Sequence, residues 1–387
     1  MRNFGIICEV NPLHNGHQYL IDSAKRLGAD RIICVMSGNT VQRGDFAILD
    51  KYVRAEALVK CGADIVLELP FPWCSGSAES FSRAGISILR HFCDTVIFGS
   101  ECGDVELLKR AAEIVGSEAF RDEYKIKLND GIGAAGLYYD MIKKYTDAEI
   151  SSNDLLGMEY IRGARELDAN LNFVTVTRKG DAYMSSEITD EAFPSATALR
   201  VLWNSGKFED SRAMIPQNAF SVFEKAIKNG EITKYKQLDA FWLSFFRLHD
   251  VEYFKNVIGY ESGIINRFCH MSHQATSADE LLSLVKTKRY TDAHIRRVML
   301  YCLAGVKEDD ICATPKSSLL LAANDKGREL LSENRKDNPY SVITKPADID
   351  ISLRQNILSS RIESIFALAH DTRWKTDKTY KQRPYIE

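Results

Sequence analysis

His14-Asn15-Gly16-His17 places two imidazoles around an Asn-Gly pair, directly after the apolar run Phe4–Val10 and the turn dipeptide Asn11-Pro12. Gln18-Tyr19-Leu20-Ile21-Asp22-Ser23-Ala24-Lys25 follows and reads as a helix. The histidines therefore sit at a strand-to-helix junction, where the first backbone N–H groups of the helix lack intrahelical partners. Those donors and the positive end of the helix dipole favour an anion. Gly16 lets a phosphate come close to the backbone, and the imidazoles donate to its oxygens. This is chemistry for a triphosphate, with charge stabilised during attack at the α-phosphate. Paired histidines also suit zinc. No Cys or carboxylate is spaced to complete such a site on the same helix, so no metal site is expected.

The pattern around this junction indicates what holds it in place. Strand-like Phe4–Val10, Arg31–Met36, Asp64–Leu69 and Thr95–Phe98 alternate with helix-like His17–Leu27, Lys51–Lys60, Ala78–Phe92 and Val105–Val115. Such alternation predicts parallel strands with crossover helices, and runs apolar on both faces suit a sheet covered on both sides. Ligands on that architecture lie outside the carboxyl ends of the strands, so His14, Ser37, Pro70 and Gly99 should share one rim. Glu118–Tyr145 and Leu155–Glu166 read as helical and Phe173–Thr177 as a further strand. Pro194 then opens another helix, capped by Ser195 or Thr197. Residues 208–217 look like a connector. Beyond it the pattern is mainly helical, at Ala219–Lys228, Leu238–Leu248, Gly263–His270 and Asp292–Ala304. A small α/β element follows, with Ser318–Ala322 and Tyr340–Ile343 around helix Lys326–Arg335, and Leu353–His370 is a late helix. The expected fold class is thus α/β: a doubly wound parallel-sheet, Rossmann-like domain over 1–207, then a mainly helical region over 218–387 with a small α/β element.

Composition bounds the rest. The 387 residues are 45% apolar and 27% charged, enough for a real core. A formal net charge of −3 gives no global sign of nucleic-acid binding, so any RNA contact must come from a local basic patch. Nine cysteines include no Cys-x-x-Cys pair and several fall in apolar runs, which reads as buried free thiols in a reducing compartment. The start of the chain has no basic region with a cleavage site, and Phe4–Val10 is too short to span a membrane. A soluble, cytoplasmic protein is expected.

Glu9-Val10-Asn11-Pro12-Leu13-His14-Asn15-Gly16-His17 resembles the His-x-Gly-His signature of the nucleotidyltransferase superfamily. More narrowly it resembles the bacterial tRNA(Met) cytidine acetate ligase family. Further similar blocks run in order: Val35-Met36-Ser37-Gly38 with Gln42-Arg43-Gly44, Ala63 to Pro70, Phe98-Gly99-Ser100-Glu101, Asn153 to Tyr160, Ser195 to Arg200, and Lys288-Arg289-Tyr290-Thr291. There are departures. Val10 and Leu13 replace a more usual Tyr and Phe, Ser152 replaces a Pro, and Met184 stands where a histidine is usual after Gly180-Asp181-Ala182-Tyr183.

The resemblance implies an ATP-dependent ligase that turns acetate into acetyl-adenylate and transfers acetyl to N4 of the wobble cytidine of elongator tRNA(Met), with Mg²⁺ accompanying ATP. It makes His14 and His17 the catalytic pair. It implies ATP contacts from Ile7, Cys8, Glu9, Val10, Asn11, Pro12, Leu13, Asn15, Gly16, Gln18, Tyr19 and Leu20, and from Gly99, Asn153, Arg178, Ser195 and Thr197. On the residues alone, Asn153 reads as a helix N-cap, Gly99 as a strand-ending turn, and Ser195 as a cap. Ser37, Gly38, Gln42 and Arg43 form a polar loop that could line an acetate pocket. Lys51 and Arg54, one helical turn apart, either add positive charge there or form a solvated face. Lys286, Lys288, Arg289, Tyr290, Arg296 and Arg297 form a basic cluster with an aromatic suited to tRNA. Trp374, Lys375, Lys378, Tyr380, Lys381 and Arg383 form a second. A small-molecule adenylyltransferase and a non-catalytic RNA- or nucleotide-binding protein are the competing readings.

Overall fold

The computed structural model describes residues 1–128, 133–178, 192–334, 338–370 and 378–387. The segment Gly180 to Met184, Trp374, Lys375 and the side chain of Tyr380 lie outside the described residues.

The chain begins β1 (Asn3–Cys8), α1 (Asn15–Arg26), β2 (Arg31–Ser37), α2 (Lys51–Lys60), β3 (Ile65–Leu69), α3 (Ala78–Leu89), β4 (Thr95–Ser100) and α4 (Val105–Gly116). Next come α5 (Glu118–Leu128), α6 (Ala134–Thr146), α7 (Ser152–Glu166), β5 (Asn172–Thr177), α8 (Ala196–Asn204) and α9 (Gln217–Lys228). The helical stretch follows as α10 (Asp239–Leu248), α11 (Ile264–Ser272), α12 (Ala278–Val285), α13 (Asp292–Ala304) and α14 (Glu308–Cys312). The last elements are β6 (Ser317–Ala323), α15 (Asp325–Asn334), β7 (Ser341–Ile343), α16 (Arg354–Phe366), α17 (Lys378–Lys381) and β8 (Tyr385–Ile386).

Strands β1 to β5 are parallel, in the order β5-β4-β1-β2-β3. The chain winds outward from β1 through β2 to β3, then returns to β1's other side for β4 and β5. The strand order therefore reverses at β1 and β4, where a crevice opens at their carboxyl ends. The strands alternate between two apolar layers. Phe4 and Ile6 of β1 and Ile32, Cys34 and Met36 of β2 pack with α1, α2, α8 and α9. Ile7, Ile33 and Val35 pack on the other face with α3, α4 and α7. The small α/β element of the C-terminal region continues this same sheet: β6 pairs antiparallel with β3, and β7 and β8 pair with β6's outer edge.

In the expected Glu118–Tyr145 helix, α5 is described to Leu128 and α6 starts at Ala134 after the extended N-cap Gly133. The connector at 208–217 contains a 3₁₀ turn, Glu209–Met214. The cysteines are free, as expected, but not uniformly buried, since Cys102 and Cys312 are exposed. Among the described residues, no helix is long and apolar enough to cross a membrane.

Candidate active site

A crevice opens at the carboxyl ends of β1 and β4, and the histidine junction forms one wall. Helix α1 starts immediately after His14, whose extended backbone makes it the N-cap. Its Nδ1 accepts from the Gly16 N–H at 3.0 Å, and Nδ1 of His17 accepts from the His14 N–H at 3.2 Å. The reciprocal cap brings the rings together, tilted by 50° with centroids 4.0 Å apart. A neutral imidazole whose Nδ1 accepts a hydrogen bond carries its proton on Nε2. Both histidines line the crevice, so each offers it an Nε2–H donor. Burial holds His14 well below the usual imidazole range, with the neighbouring His17, Arg178 and Arg200 adding to the effect. Burial likewise brings His17 down to about 4, helped by Arg178. Both are neutral donors at pH 7.

This geometry revises two expectations. The helix N–H groups are largely spent on the cap, because Gly16 N–H meets His14 Nδ1 and His17 N–H meets the His14 carbonyl at 2.9 Å. The space beside Gly16 is filled by the His14 ring, which would lie 2.8 Å from an added Cβ. Glycine is there for the imidazole, and the donors presented to the crevice are the imidazoles themselves.

From β1 and the turn after it, Ile6, Ile7, Cys8, Glu9, Val10 and Asn11 line the crevice; from α1, Gly16, Tyr19 and Leu20 join the histidines. Val10, a β-branched residue, holds a left-handed φ of 51° while fully buried, a costly conformation that only a tightly determined turn retains. The Asn11–Pro12 bond is cis. Four residues expected at the nucleotide turn away. Pro12 and Leu13 do not line the crevice, and Leu13 is wholly buried in the core. Asn15 donates to the Ala192 and Ala213 carbonyls, each at 2.9 Å. Gln18 donates to Asp22 and to the Cys61 carbonyl.

The opposite wall is built by β4, α7 and β5. Phe98 and Gly99 of β4, Asn153, Leu156 and Tyr160 of α7, and Val176, Thr177 and Arg178 at the end of β5 line it. Gly99 has the Arg178 stem against it, 3.3 Å from an added Cβ, so its bareness serves that side chain. Asn153 is not the N-cap of α7. Ser151 is, and Asn153 lies in the first turn with its amide donating to Glu101 at 2.5 Å. Asp154, buried beside it, accepts from Ser100 at 2.5 Å and fixes α7 to the end of β4. Arg178 pairs with Glu101 at 3.5 Å.

A third wall comes from the segment entering α8 and from the loop after β2. Thr197 faces the crevice, whereas Ser195 is buried behind it as the cap of α8, accepting from the Ala198 N–H at 3.0 Å. Arg200 lines the crevice and donates to the Asn11 carbonyl at 2.7 Å and to Thr197 at 3.1 Å. Gln42, Arg43 and Asp45 line it from the loop. The Gln42 N–H donates to Glu9 at 2.6 Å, and burial raises the Glu9 carboxyl above its ordinary range.

Ser37 and Gly38 do not reach the crevice. Ser37 is fully buried, and Glu68 occupies the space beside Gly38. Lys51 and Arg54 neither add charge to the crevice nor form a solvated face; they are 1% and 0% exposed. Arg54 spends its guanidinium on the carbonyls of Leu49, Glu9, Ser37 and Gly38, pinning the ends of β1 and β2. Lys51 pairs with Glu68 at 2.8 Å and Glu363 at 3.1 Å.

The expected RNA cluster divides. Lys288 and Arg289 are exposed, with Arg289 over the Tyr290 ring, and Lys286 pairs with Asp292. Arg296 and Arg297 turn inward onto the crevice loop: Arg296 pairs with Asp45 at 2.7 Å and Arg297 donates to the Gln42 carbonyl at 3.3 Å. In the second group, Lys378 lies 3.6 Å from Asp50, while Lys381 and Arg383 are exposed.

Leu156, Tyr160, Phe98 and Phe193 were missed from sequence, as was Arg200 as a lining residue. The α7 pair carried a signal, since positions 153, 156 and 160 share one helix face. Phe193 carried none.

Comparison with known proteins gives the family and the fold. The HIGH Nucleotidyl Transferase family matches residues 1–380. The tRNA(Met) cytidine acetate ligase of Thermotoga maritima is 33% identical over 358 residues, spanning 87% of this chain and 85% of that protein. That of Caldanaerobacter subterraneus subsp. tengcongensis is 32% identical over 379 residues, 93% of each. The crystal structure of Thermotoga maritima TmcAL bound with alpha-thio ATP superposes with a TM-score of 0.90 at 28% identity, covering 100% of this chain and 99% of the other. The apo form gives 0.92 at 29% identity, with the same coverage. The chain belongs to the HIGH nucleotidyl transferase family and, within it, to the tRNA(Met) cytidine acetate ligases.

Proposed function

We propose that this protein activates acetate with ATP and transfers the acetyl group to N4 of the wobble cytidine of elongator tRNA(Met), acting in the cytoplasm where that tRNA is found. One observation carries the reading: two neutral imidazoles, each with Nδ1 held by a backbone N–H, line one crevice at the strand-order reversal of the sheet.

Acetate is already ionised near pH 7 and needs no base. Its oxygen attacks the α-phosphorus, an O–P bond forms, the α–β anhydride bond breaks, and pyrophosphate leaves with the electron pair. Charge grows on the α-phosphoryl oxygens, where the Nε2–H donors of His14 and His17 meet it without having to reorganise. Arg43, Arg178 and Arg200 add positive potential along the same crevice. The apolar surface of Phe98, Leu156 and Tyr160 suits the adenine ring. Mg²⁺ enters as part of the substrate, carried on the triphosphate. The crevice carboxylates Glu9 and Asp45 are engaged by Gln42 and Arg296, and no cluster of three or more metal-ligating side chains occurs among the described residues.

In the second step the cytidine N4 attacks the acetyl carbon. A C–N bond forms, the bond to the phosphate oxygen breaks, AMP leaves, and one N4 proton passes to solvent. The exposed Lys288 and Arg289 and the half-buried Tyr290 supply tRNA contacts, with Lys286 beside them.

The test is acetate-dependent exchange of labelled pyrophosphate into ATP, followed by mass analysis of nucleosides from tRNA incubated with the protein. Exchange that requires acetate, and N4-acetylcytidine at the wobble position, are expected. Exchange that ignores acetate would overturn the reading in favour of a small-molecule adenylyltransferase.

A further inference from the structure

A second cavity, of about 250 Å³, adjoins the nucleotide crevice, and the two share Asp45 and Arg200 as walls. The loop after β2, α8 and the helical stretch from Tyr235 to Leu300 build it. Tyr235 and Trp242 give it aromatic surface, Lys236, Arg200 and Arg296 give it cations, and Asp239 and Asp279 line it beside Asp45, Asp239 accepting from the Ala278 N–H at 3.0 Å. The Tyr235 hydroxyl donates to the Phe46 carbonyl at 2.7 Å, which fixes that ring beside the loop carrying Asp45. Arg296 holds one oxygen of Asp45 at 2.7 Å, with both side chains about one-third exposed (36% and 34%). A carboxylate has about four lone-pair sites over two oxygens, so this pairing orients Asp45 and leaves it acceptor capacity.

These features match a nucleotide of single-stranded RNA better than a free small metabolite. Aromatic surface takes the π-face of a base, and cations at the rim take its flanking phosphates. A fixed carboxylate accepts from the exocyclic amine of cytosine. Uracil offers a carbonyl oxygen at the same position and would meet Asp45 acceptor to acceptor, an unpaired contact that selects against it.

We propose that this second cavity receives the acceptor cytidine of the RNA and that Asp45 accepts from its exocyclic amine, holding the nitrogen at the wall that opens onto the activated acetyl group. The inference rests on the acetyl-transfer reading and adds to it a site and a source of base selectivity. Asp45 is a positioning residue in this scheme: it orients the amine and takes no part in forming the adenylate.

Two measurements test it. The first is equilibrium binding of labelled anticodon stem-loop RNAs that differ only in cytidine or uridine at the wobble position, measured with ATP present. Wild type should prefer cytidine about tenfold or more, within the discrimination expected of one well-placed polar contact, and Asp45→Ala should erase the preference. The second uses Leu282→Trp, which adds bulk from α12 at the cavity lining. The ratio of acetyl transfer to acetate-dependent pyrophosphate exchange should fall at least tenfold. An Asp45→Ala protein that keeps the cytidine preference, or a Leu282→Trp protein with a wild-type ratio, would overturn the proposal. A wild type that prefers cytidine but transfers no acetyl group upholds the cavity and removes the acetyl-transfer reading instead.

Discussion

His14 does two jobs that a substitution series separates. Its Nδ1 caps α1 and its Nε2–H faces the crevice. His14→Ala removes both and should cost ~1 kcal/mol of stability through the lost cap and about 10²–10³ in the exchange rate through the lost donor. His14→Asn retains a side-chain oxygen able to cap, so stability should return while exchange stays low; thermal melts alongside pyrophosphate exchange check this. The pH dependence follows from His17, whose folded value is about 4 against 6.5 unfolded. Between those values the unfolded chain binds a proton that the folded chain does not, so stability falls as pH drops from 6.5 toward 4 and is level above that window. His17→Asn should flatten part of that slope in melts recorded across pH 4–7. At this scale the sequence showed the chemistry but not every direction of the side chains. The junction and its two imidazoles follow from residue type and spacing. That Pro12, Leu13, Asn15 and Gln18 turn away depends on the Val10 backbone and on partners such as Ala213, far along the chain.

Among the elements, α13 has the least expected role. Its residues Arg296 and Arg297 read as part of a tRNA-binding basic cluster, yet the helix docks on the loop after β2 and both guanidiniums bond to that loop. Which face of a basic helix turns inward is settled by its tertiary neighbour, and a single sequence carries no signal for it. The docking requires Gly44, which has φ +82° and whose added Cβ would lie 2.4 Å from the Arg297 nitrogen. Gly44→Ala should therefore cost at least about 1–2 kcal/mol from the left-handed backbone alone, with a further loss from the clash. It should also raise the KM for ATP, because Gln42 and Arg43 move with the loop. A melt together with exchange kinetics reads both effects; unchanged stability would mean that α13 does not press on this turn. The strong periodicity of β1 to β4 and their helices made those elements legible. Helix α12 and the two-residue strand β8 were not, because one is short and the other is defined only by its pairing with β6.

For the whole molecule, the C-terminal region is part of the catalytic body. Strand β6 covers the β3 edge, and α16 brings Glu363 into contact with Lys51 and with Asn39 of the loop after β2. The pairing of a late strand with an early one is a long-range contact, and sequence alone exposed only the strand. Lys51 is 1% exposed among Glu68, Glu363 and Asp50. Burial would discharge it, but the Glu363 and Glu68 carboxylates outweigh burial and hold its pKa well above the ordinary lysine value. Glu68 is pushed the other way, its carboxyl raised chiefly by burial and only partly offset by Lys51. Removing the cation alone leaves the Glu68 and Glu363 carboxylates facing each other without the charge that balanced them, with Glu363 keeping its Asn39 hydrogen bond. Lys51→Met should thus destabilise by about 3–5 kcal/mol, the usual cost of breaking a buried pair from one side. Replacing both members of the closest pair, in Lys51→Met with Glu68→Leu, removes the stranded charge and should recover much of that loss. Denaturant titration of the two variants decides between the alternatives. A double variant as unstable as the single would mean that the Lys51–Glu363 contact joins the C-terminal helix to the site loop, whereas recovery would assign the cost to the uncompensated Glu68 carboxylate.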